Sequence, residues 1–282
     1  MQKALAEKLI PSRGRIIVLV DWTEMGRYKT LVMALPRDGR ALPVWWKSIR
    51  KDGKEGSQIA VEAEGLCALE RLLPKGRDVV IVGDRGFGNS RWLREIERRG
   101  WGYVQRYPSN RWVEGERCIG KLNELGIERG QKAKDFGEVL VTETNPIRTR
   151  LITTFAKKAK EPWYLVTNLK DIPAEIVRIY QRRMWIEEMF RDFKNRRWGL
   201  GLRGVELSEP ERQDRLLSVL ALAYVFLCAF GAAAETENIA ETLKANTERS
   251  RVMTLARIGS YFIQITTLSI DVALIALNNL PP

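Results

Sequence analysis

Between Ile172 and Trp198 the chain reads IPAEIVRIYQRRMWIEEMFRDFKNRRW. A segment this charged is stable as a helix only if one side is covered. At about 100° per residue, with Tyr180 at zero, Arg183 falls near ~300°, Glu187 near ~340° and Lys194 near ~320°. Ile172, Ile179, Ile186, Met189, Phe190 and Phe193 occupy roughly 180° to 280° of the same wheel, an apolar side wide enough to bury. One amphipathic helix is therefore predicted, with Asp171 as N-cap, Pro173 in the first turn where its missing N–H costs nothing, and Gly199 and Gly201 as the stop. Its polar stripe of Tyr180, Arg183, Glu187 and Lys194 then lies at the edge of a core. Taken alone, those charges are surface groups with i,i+4 support, Arg183 with Glu187 for instance.

The cover for such a helix is legible upstream. RIIVLVDW, YKTLVMALP and ALPVWWKS are β-rich runs separated by short turns, which predicts an antiparallel meander whose first strand ends on Asp21. Gly56 to Leu73 reads as a helix, apolar at Ile59, Ala60, Ala63, Leu66, Cys67, Leu69 and Leu72. The wholly apolar DVVIV of Asp78 to Val82 suits a parallel strand buried on both faces. Gly83, Asp84, Arg85, Gly86, Phe87 and Gly88 follow at once, where open α/β sheets place their sites. A helix capped by Asn89 or Ser90 and a strand over Gly102 to Tyr107 come next. Pro108 to Glu161 has no long helical period and contains EVLVTET and TRLITTFA; it reads as a β-rich insertion. WYLVTNL, Trp163 to Leu169, returns to core strand character. Val252 to Leu277 reads as a packing helix beyond a charged stretch, Glu235 to Arg251.

Charge narrows the partner. Forty-seven lysines and arginines against 35 acids give a formal charge of +12 over 282 residues, a balance that favours a polyanion, nucleic acid first, with an anionic membrane and plain solubility as the other readings. Histidine is absent, which excludes His-based acid–base catalysis, His-ligated zinc and a Ser-His-Asp triad. Hydrolysis by this chain must rest on carboxylates. Cys67, Cys118 and Cys228 form neither a CxxC pair nor a disulfide framework and fit a reducing cytoplasm. No secretory leader is expected, because the apolar run Ile16 to Val20 is short and meets Asp21. Leu216 to Ala234, nineteen residues without a charge, has the length of a membrane span. Its small residues and the mixed-charge entry Glu209 to Arg215 favour a buried core helix instead.

Two-metal phosphoryl transfer needs carboxylates that converge on Mg²⁺ from rigid elements. Asp21, Asp84 and Glu187 meet that need if the two strands are neighbours and the helix passes beside them. Each aspartate also has a plain reading as a turn or cap residue. Tyr180, Arg183, Glu187 and Lys194, spaced by two, three and six residues, together with DWT at Asp21, DRGFGN at Asp84 and WYLVTNL, resemble the signature of the bacterial DDE transposases of the insertion sequence four family. The resemblance covers most of Gly14 to about Ala234.

It implies an α/β, ribonuclease-H-like mixed sheet carrying a β-rich insertion and C-terminal helices. The corresponding organisation is a lead over 1–14, a core over 15–107 and 162–202, an insertion over 108–161 and a helical region over 203–282. It further implies Asp21, Asp84 and Glu187 as ligands of Mg²⁺, with Mn²⁺ as substitute, and cutting of transposon ends followed by joining of the 3′ hydroxyl to target DNA. Tyr180, Arg183 and Lys194 would hold phosphates, and Trp163 would stack on an extruded base. Arg85 is read two ways, as a DNA contact or as a partner of Asp84. The implied setting is a cytoplasmic, nucleoid-associated protein that acts on double-stranded DNA as a homodimer, without membrane. Only twenty residues precede Asp21, fewer than in such relatives, so a compact member and a truncated copy that binds DNA without cutting both stand as readings.

Overall fold

A computed structural model describes residues 2–52, 57–141, 145–195, 199–202, 205, 207–237 and 253–281. Arg196, Arg197 and Trp198 at the end of the central segment, the Thr142 to Thr144 end of EVLVTET, and most of the charged stretch, residues 238–251, lie outside the described residues. The chain divides into two units, Met1–Ser12 with Trp22–Val61 and Trp185–Pro282, and Arg13–Asp21 with Glu62–Met184.

The second unit is built on a mixed sheet. Its first strand, β1 (Ile16–Met25), pairs in parallel with β4 (Val79–Gly83), and β4 in parallel with β5 (Gly102–Arg106). Beyond β5 all neighbours are antiparallel: β10 (Trp163–Thr167), β9 (Ile147–Thr154), β8 (Lys134–Val141), β6 (Trp112–Gly115) and β7 (Cys118–Lys121), in that spatial order. The expected insertion therefore extends the sheet outward from β10. Continuous apolar text made β4 a central strand, and all five of its residues are buried. Three helices belong here wholly or mostly: α2 (Gln58–Leu72), α3 (Ser90–Glu97) and α4 (Pro173–Gln181). Asn89 caps α3 by accepting from the Trp92 backbone. In α2 the buried positions are Val61, Leu66, Ala68 and Leu69, whereas Ile59, Ala60 and Ala63 of the expected face are exposed, so the buried side is rotated from the one read off the sequence.

In the first unit β2 (Tyr28–Arg37) and β3 (Arg40–Arg50) complete the predicted meander. Asp38 and Gly39, at φ 35° and 82°, make the Asp-Gly hairpin turn between them. The register shifts between Met33 and Ala34, opposite Pro43, which has no N–H for the ladder. This is the mixed α/β class expected from the sequence. A short α1 (Gln2–Leu9) and the helices α5 (Met184–Lys194), α6 (Pro210–Thr236), α7 (Leu255–Phe262) and α8 (Ile270–Asn279) pack in this unit. By length and composition α6 passes for a membrane span. Its inner side is buried, with Leu217, Ala221, Tyr224, Val225, Cys228 and Ala229 all inaccessible, and it packs on β3, α7 and α8. Gly231 and Gly259 let α6 and α7 touch backbone to backbone, since a Cβ at either would strike the carbonyl of Leu255 or Leu227.

Four expectations change. The described part of the expected helix, Ile172 to Asn195, holds two helices, broken at Arg182 and Arg183, whose N–H groups bond three residues back instead of four, to Ile179 and Tyr180. Asp171 does not cap α4; Ile172 holds that position and the Asp171 carboxylate takes the Arg15 guanidinium at 2.8 Å. β1 continues past Asp21 to Met25. The helix expected over Val252 to Leu277 is α7 and α8, restarted by Ser269, whose hydroxyl caps α8.

One half-buried acid ties α6 to β3. Asp214 accepts from the Ser48 N–H at 2.9 Å and its carbonyl takes the Trp46 indole. Burial pushes its carboxyl up to about 6, against the pull of the Ser48 bond and of Lys47. A folded value above the unfolded value of about 3.9 means that the folded chain binds this proton more tightly. The stability it contributes is therefore full at low pH and is lost as pH rises through 6. Asp214→Asn, which keeps an acceptor for Ser48, is expected to melt above wild type at about pH 7.5, and the gap is expected to close near pH 4. Circular dichroism melts at the two pH values check this; a gap that does not depend on pH contradicts it.

Candidate active site

The parallel ladder of β1 and β4 runs from Ile16↔Val79 to Val20↔Gly83. The next residue on each strand is an aspartate, Asp21 and Asp84. Neighbouring strands lie about 5 Å apart, so the two acids stand side by side where the parallel ladder ends, Asp21 within β1 and Asp84 just past β4. The turn that follows needs glycines for space, not for left-handed φ, which none of Gly83, Gly86 and Gly88 adopts. A Cβ on Gly83 would meet the Gln105 amide and the Phe87 ring, and one on Gly88 would meet Pro108 and the Arg106 carbonyl. Asp84 Oδ1 accepts from the Gly86 N–H at 2.8 Å and caps a single 3₁₀ turn over Arg85–Phe87. The cap reading of Asp84 is thus met by one of its oxygens.

Asp21 is 9% exposed and pairs with Arg183, whose Nη1 lies 3.3 Å from its Oδ2. Arg183 reaches it from the break after α4. Tyr180, one turn earlier, is 2% exposed. Its phenol is raised by burial, with Arg183 pulling the other way, so it stays neutral. The Tyr180 ring meets Trp163 edge-on, centroids 4.9 Å apart. Trp163 is half-buried at the start of β10. Arg85 does not pair with Asp84; its partner is Glu161, at 3.4 Å, and the same carboxylate takes Arg106 at 2.9 Å.

On the first unit, α5 carries Glu187 in its first turn and Lys194 in its last, each at the helix end whose dipole favours its charge. Lys194 Nζ donates to the Thr23 hydroxyl at 2.6 Å and lies 5.7 Å from the Phe190 ring centroid. Of the other acids on α5, Glu188 forms an i,i+3 pair with Arg191. Asp192 accepts from Arg40 on β3 at 2.9 Å and from the Tyr224 hydroxyl on α6 at 2.8 Å.

The structure thus gathers Asp21, Asp84, Arg183, Tyr180, Trp163 and Arg85 in the second unit, and carries Glu187 and Lys194 on α5 in the first. Two carboxylates side by side at the end of the parallel ladder offer the hard oxygen donors that a divalent cation takes. Among the described residues no group of three or more His, Cys, Asp or Glu is gathered so as to hold a metal ion. Sequence reasoning missed Thr23, Arg106 and Glu161. Only Thr23 carried a signal, its place beside Asp21 in DWT; the partners of the others are remote in the chain.

The family model described as the transposase DDE domain matches residues 12–226. Among solved structures, a piggyBac transposase synaptic complex with hairpin DNA is similar over 96% of this chain and 58% of that one, at 11% identity and a TM-score of 0.46. The Argonaute of Aquifex aeolicus is similar over 71% of this chain and 29% of that one, at 12% identity and a TM-score of 0.33. The chain thus spans less than two thirds of either protein. No curated protein matches it.

Removing the Asp192 carboxylate leaves the Arg40 guanidinium and the Tyr224 hydroxyl, both largely buried, without this acceptor. Breaking one partner of such a junction costs about 2–4 kcal/mol. Asp192→Ala is expected to lose that much stability in urea titration, and Tyr224→Phe about 1 kcal/mol. An unchanged midpoint in Asp192→Ala would show that this junction does not hold α5.

Proposed function

The chain belongs to the transposase DDE domain family, and on that premise we propose that it is a DNA transposase that cuts transposon ends and joins the 3′ hydroxyl to target DNA. The observation that supports this most is the family match over residues 12–226, which takes in Asp21, Asp84 and Glu187 together. The placing of Asp21 and Asp84 just beyond the last pair of the parallel ladder of β1 and β4 agrees with it.

In this reading Asp21, Asp84 and Glu187 hold divalent metal, Mg²⁺ or Mn²⁺ in its place. The ion, when bound, supplies Lewis-acid polarisation of the scissile phosphate and charge stabilisation. The chain's own residues do the remainder. Arg183 brings a planar fork and Lys194 a compact charge to the phosphates beside the cut. Before DNA arrives the Arg183 guanidinium already neutralises Asp21, so the buried carboxylate is not left in low dielectric without an opposite charge. Tyr180 is too buried to touch a phosphate and acts instead by supporting Trp163 from beneath. The half-buried Trp163 offers its ring to an unpaired base. Arg85 contributes to DNA binding from the strand-end turn. The substrate is double-stranded DNA, engaged by two copies of the chain in the nucleoid.

The test is strand cleavage on DNA from the flanks of the gene, with Mg²⁺ or Mn²⁺ against EDTA. Wild type is expected to cut only with metal. Asp84→Ala and Glu187→Gln are expected to lose at least about a hundredfold in rate, since metal-held charge stabilisation amounts to several kcal/mol. Cutting by Glu187→Gln at the wild-type rate refutes the assignment. Salt-sensitive DNA binding without cutting, in a folded sample, points instead to a binding remnant.

A further inference from the structure

Thr23 is 5% exposed and lies two residues beyond Asp21 in β1, while its hydroxyl takes the Lys194 ammonium at 2.6 Å. We infer that Thr23 is a positioning residue that fixes the Lys194 ammonium for contact with a DNA phosphate, an inference that rests on the proposed role of Lys194. A lysine side chain has up to about 2 kcal/mol of rotamer entropy to lose when it is ordered at a ligand. A partner that holds the ammonium beforehand removes part of that cost from binding. Threonine suits the task. Its β-branched side chain is stiff at χ1, and here it projects from a buried strand position, so the acceptor oxygen has one place to be. A neutral hydroxyl also accepts from Lys194 without cancelling its charge, as a carboxylate in that place would. Phe190, one turn before Lys194 on α5, presents its ring 5.7 Å from the ammonium and borders the same place with a polarisable face.

The test is a double-mutant cycle read by equilibrium binding to a short duplex at several salt concentrations, so that no cutting is needed. Lys194→Ala is expected to weaken binding and to lower the slope of log affinity against log salt by about 0.9, the value of one lost phosphate contact. Thr23→Val keeps the shape, removes the acceptor and is expected to reproduce most of that loss, roughly three- to tenfold at low salt, about what one charge-assisted hydrogen bond supports. Thr23→Ser, which restores the hydroxyl, is expected to bind within about twofold of wild type. The double variant Thr23→Val with Lys194→Ala is expected to bind no worse than Lys194→Ala alone. Wild-type binding by Thr23→Val overturns the inference. So does a Thr23→Val loss that adds in full to that of Lys194→Ala, which is what a merely structural threonine would give. If Lys194→Ala itself binds as wild type, the phosphate role of Lys194 and this inference fall together. The three-carboxylate reading is separate and is decided by cleavage with Glu187→Gln.

Discussion

The parallel pairing of β1 with β4 is the constraint from which the site follows. Five residue pairs hold the strands in register, and the ladder ends where each strand presents an aspartate. A slip of one residue would turn each side chain of a strand to the opposite face, burying what should be open. That slip is costly because β4 is buried along its whole length and Ile16 to Val20 are equally buried in β1. The apolar text thus fixes where the two carboxylates stand. Gly83 and Gly88 then allow the chain to leave the strand closely packed against Gln105, Phe87, Pro108 and Arg106. The site is an outcome of core packing carried to the end of a sheet.

Charge burial organises what lies around it. Asp21 and Arg183 are each 9% exposed, and neither would be stable there without opposite charge close by. The need to bring Arg183 to Asp21 gives a physical reason for the break between α4 and α5. At Arg182 and Arg183 the backbone tightens to i→i−3 bonds, with no glycine or proline to announce it. Glu161 does similar work at the rim, where one carboxylate takes both Arg85 and Arg106. Such exposed pairs are weak, on the order of 1 kcal/mol or less, and are open to exchange with a phosphate.

Local signals were legible and remote partners were not. The meander, the buried β4, the Asn89 cap, the strand–aspartate–glycine turn and the apolar α6 were all readable because each depends on neighbours in the chain. The break at Arg182 escaped notice because the helical wheel of Ile172 to Lys194 is continuous in pattern, and the interruption answers to a side chain 162 residues away. Asp171 looked like a cap for the same reason, since its partner Arg15 is 156 residues earlier. In α2 the periodicity was real but its phase was not fixed by sequence, which is why Ile59 is exposed at 52%. For the site, residue identity and spacing brought Asp21, Asp84 and Arg183 into view, and the family resemblance added Trp163. They did not show that Tyr180 is buried or that Arg85 turns to Glu161.

The ends of α5 show why spacing alone underdetermines role. An acid in the first turn and a lysine in the last are what the helix dipole rewards, at about 0.3–1 kcal/mol each, so Glu187 and Lys194 suit the helix whatever else they do. Glu188 and Asp192 lie on the same helix with the same charge, yet Glu188 spends its carboxylate on Arg191 and Asp192 on Arg40 and Tyr224. What separates a structural acid from a reactive one here is the company it keeps. Asp192 is held by two donors that fix α5 in its own unit, and the same fixing sets where Lys194 can reach. With the helix anchored at Asp192, the bond from Lys194 to Thr23 spans from that anchored turn to a strand that is itself locked by its ladder. A flexible cation thereby gains a defined position from two rigid elements, the condition for a point charge to act on one phosphate and not on the field at large.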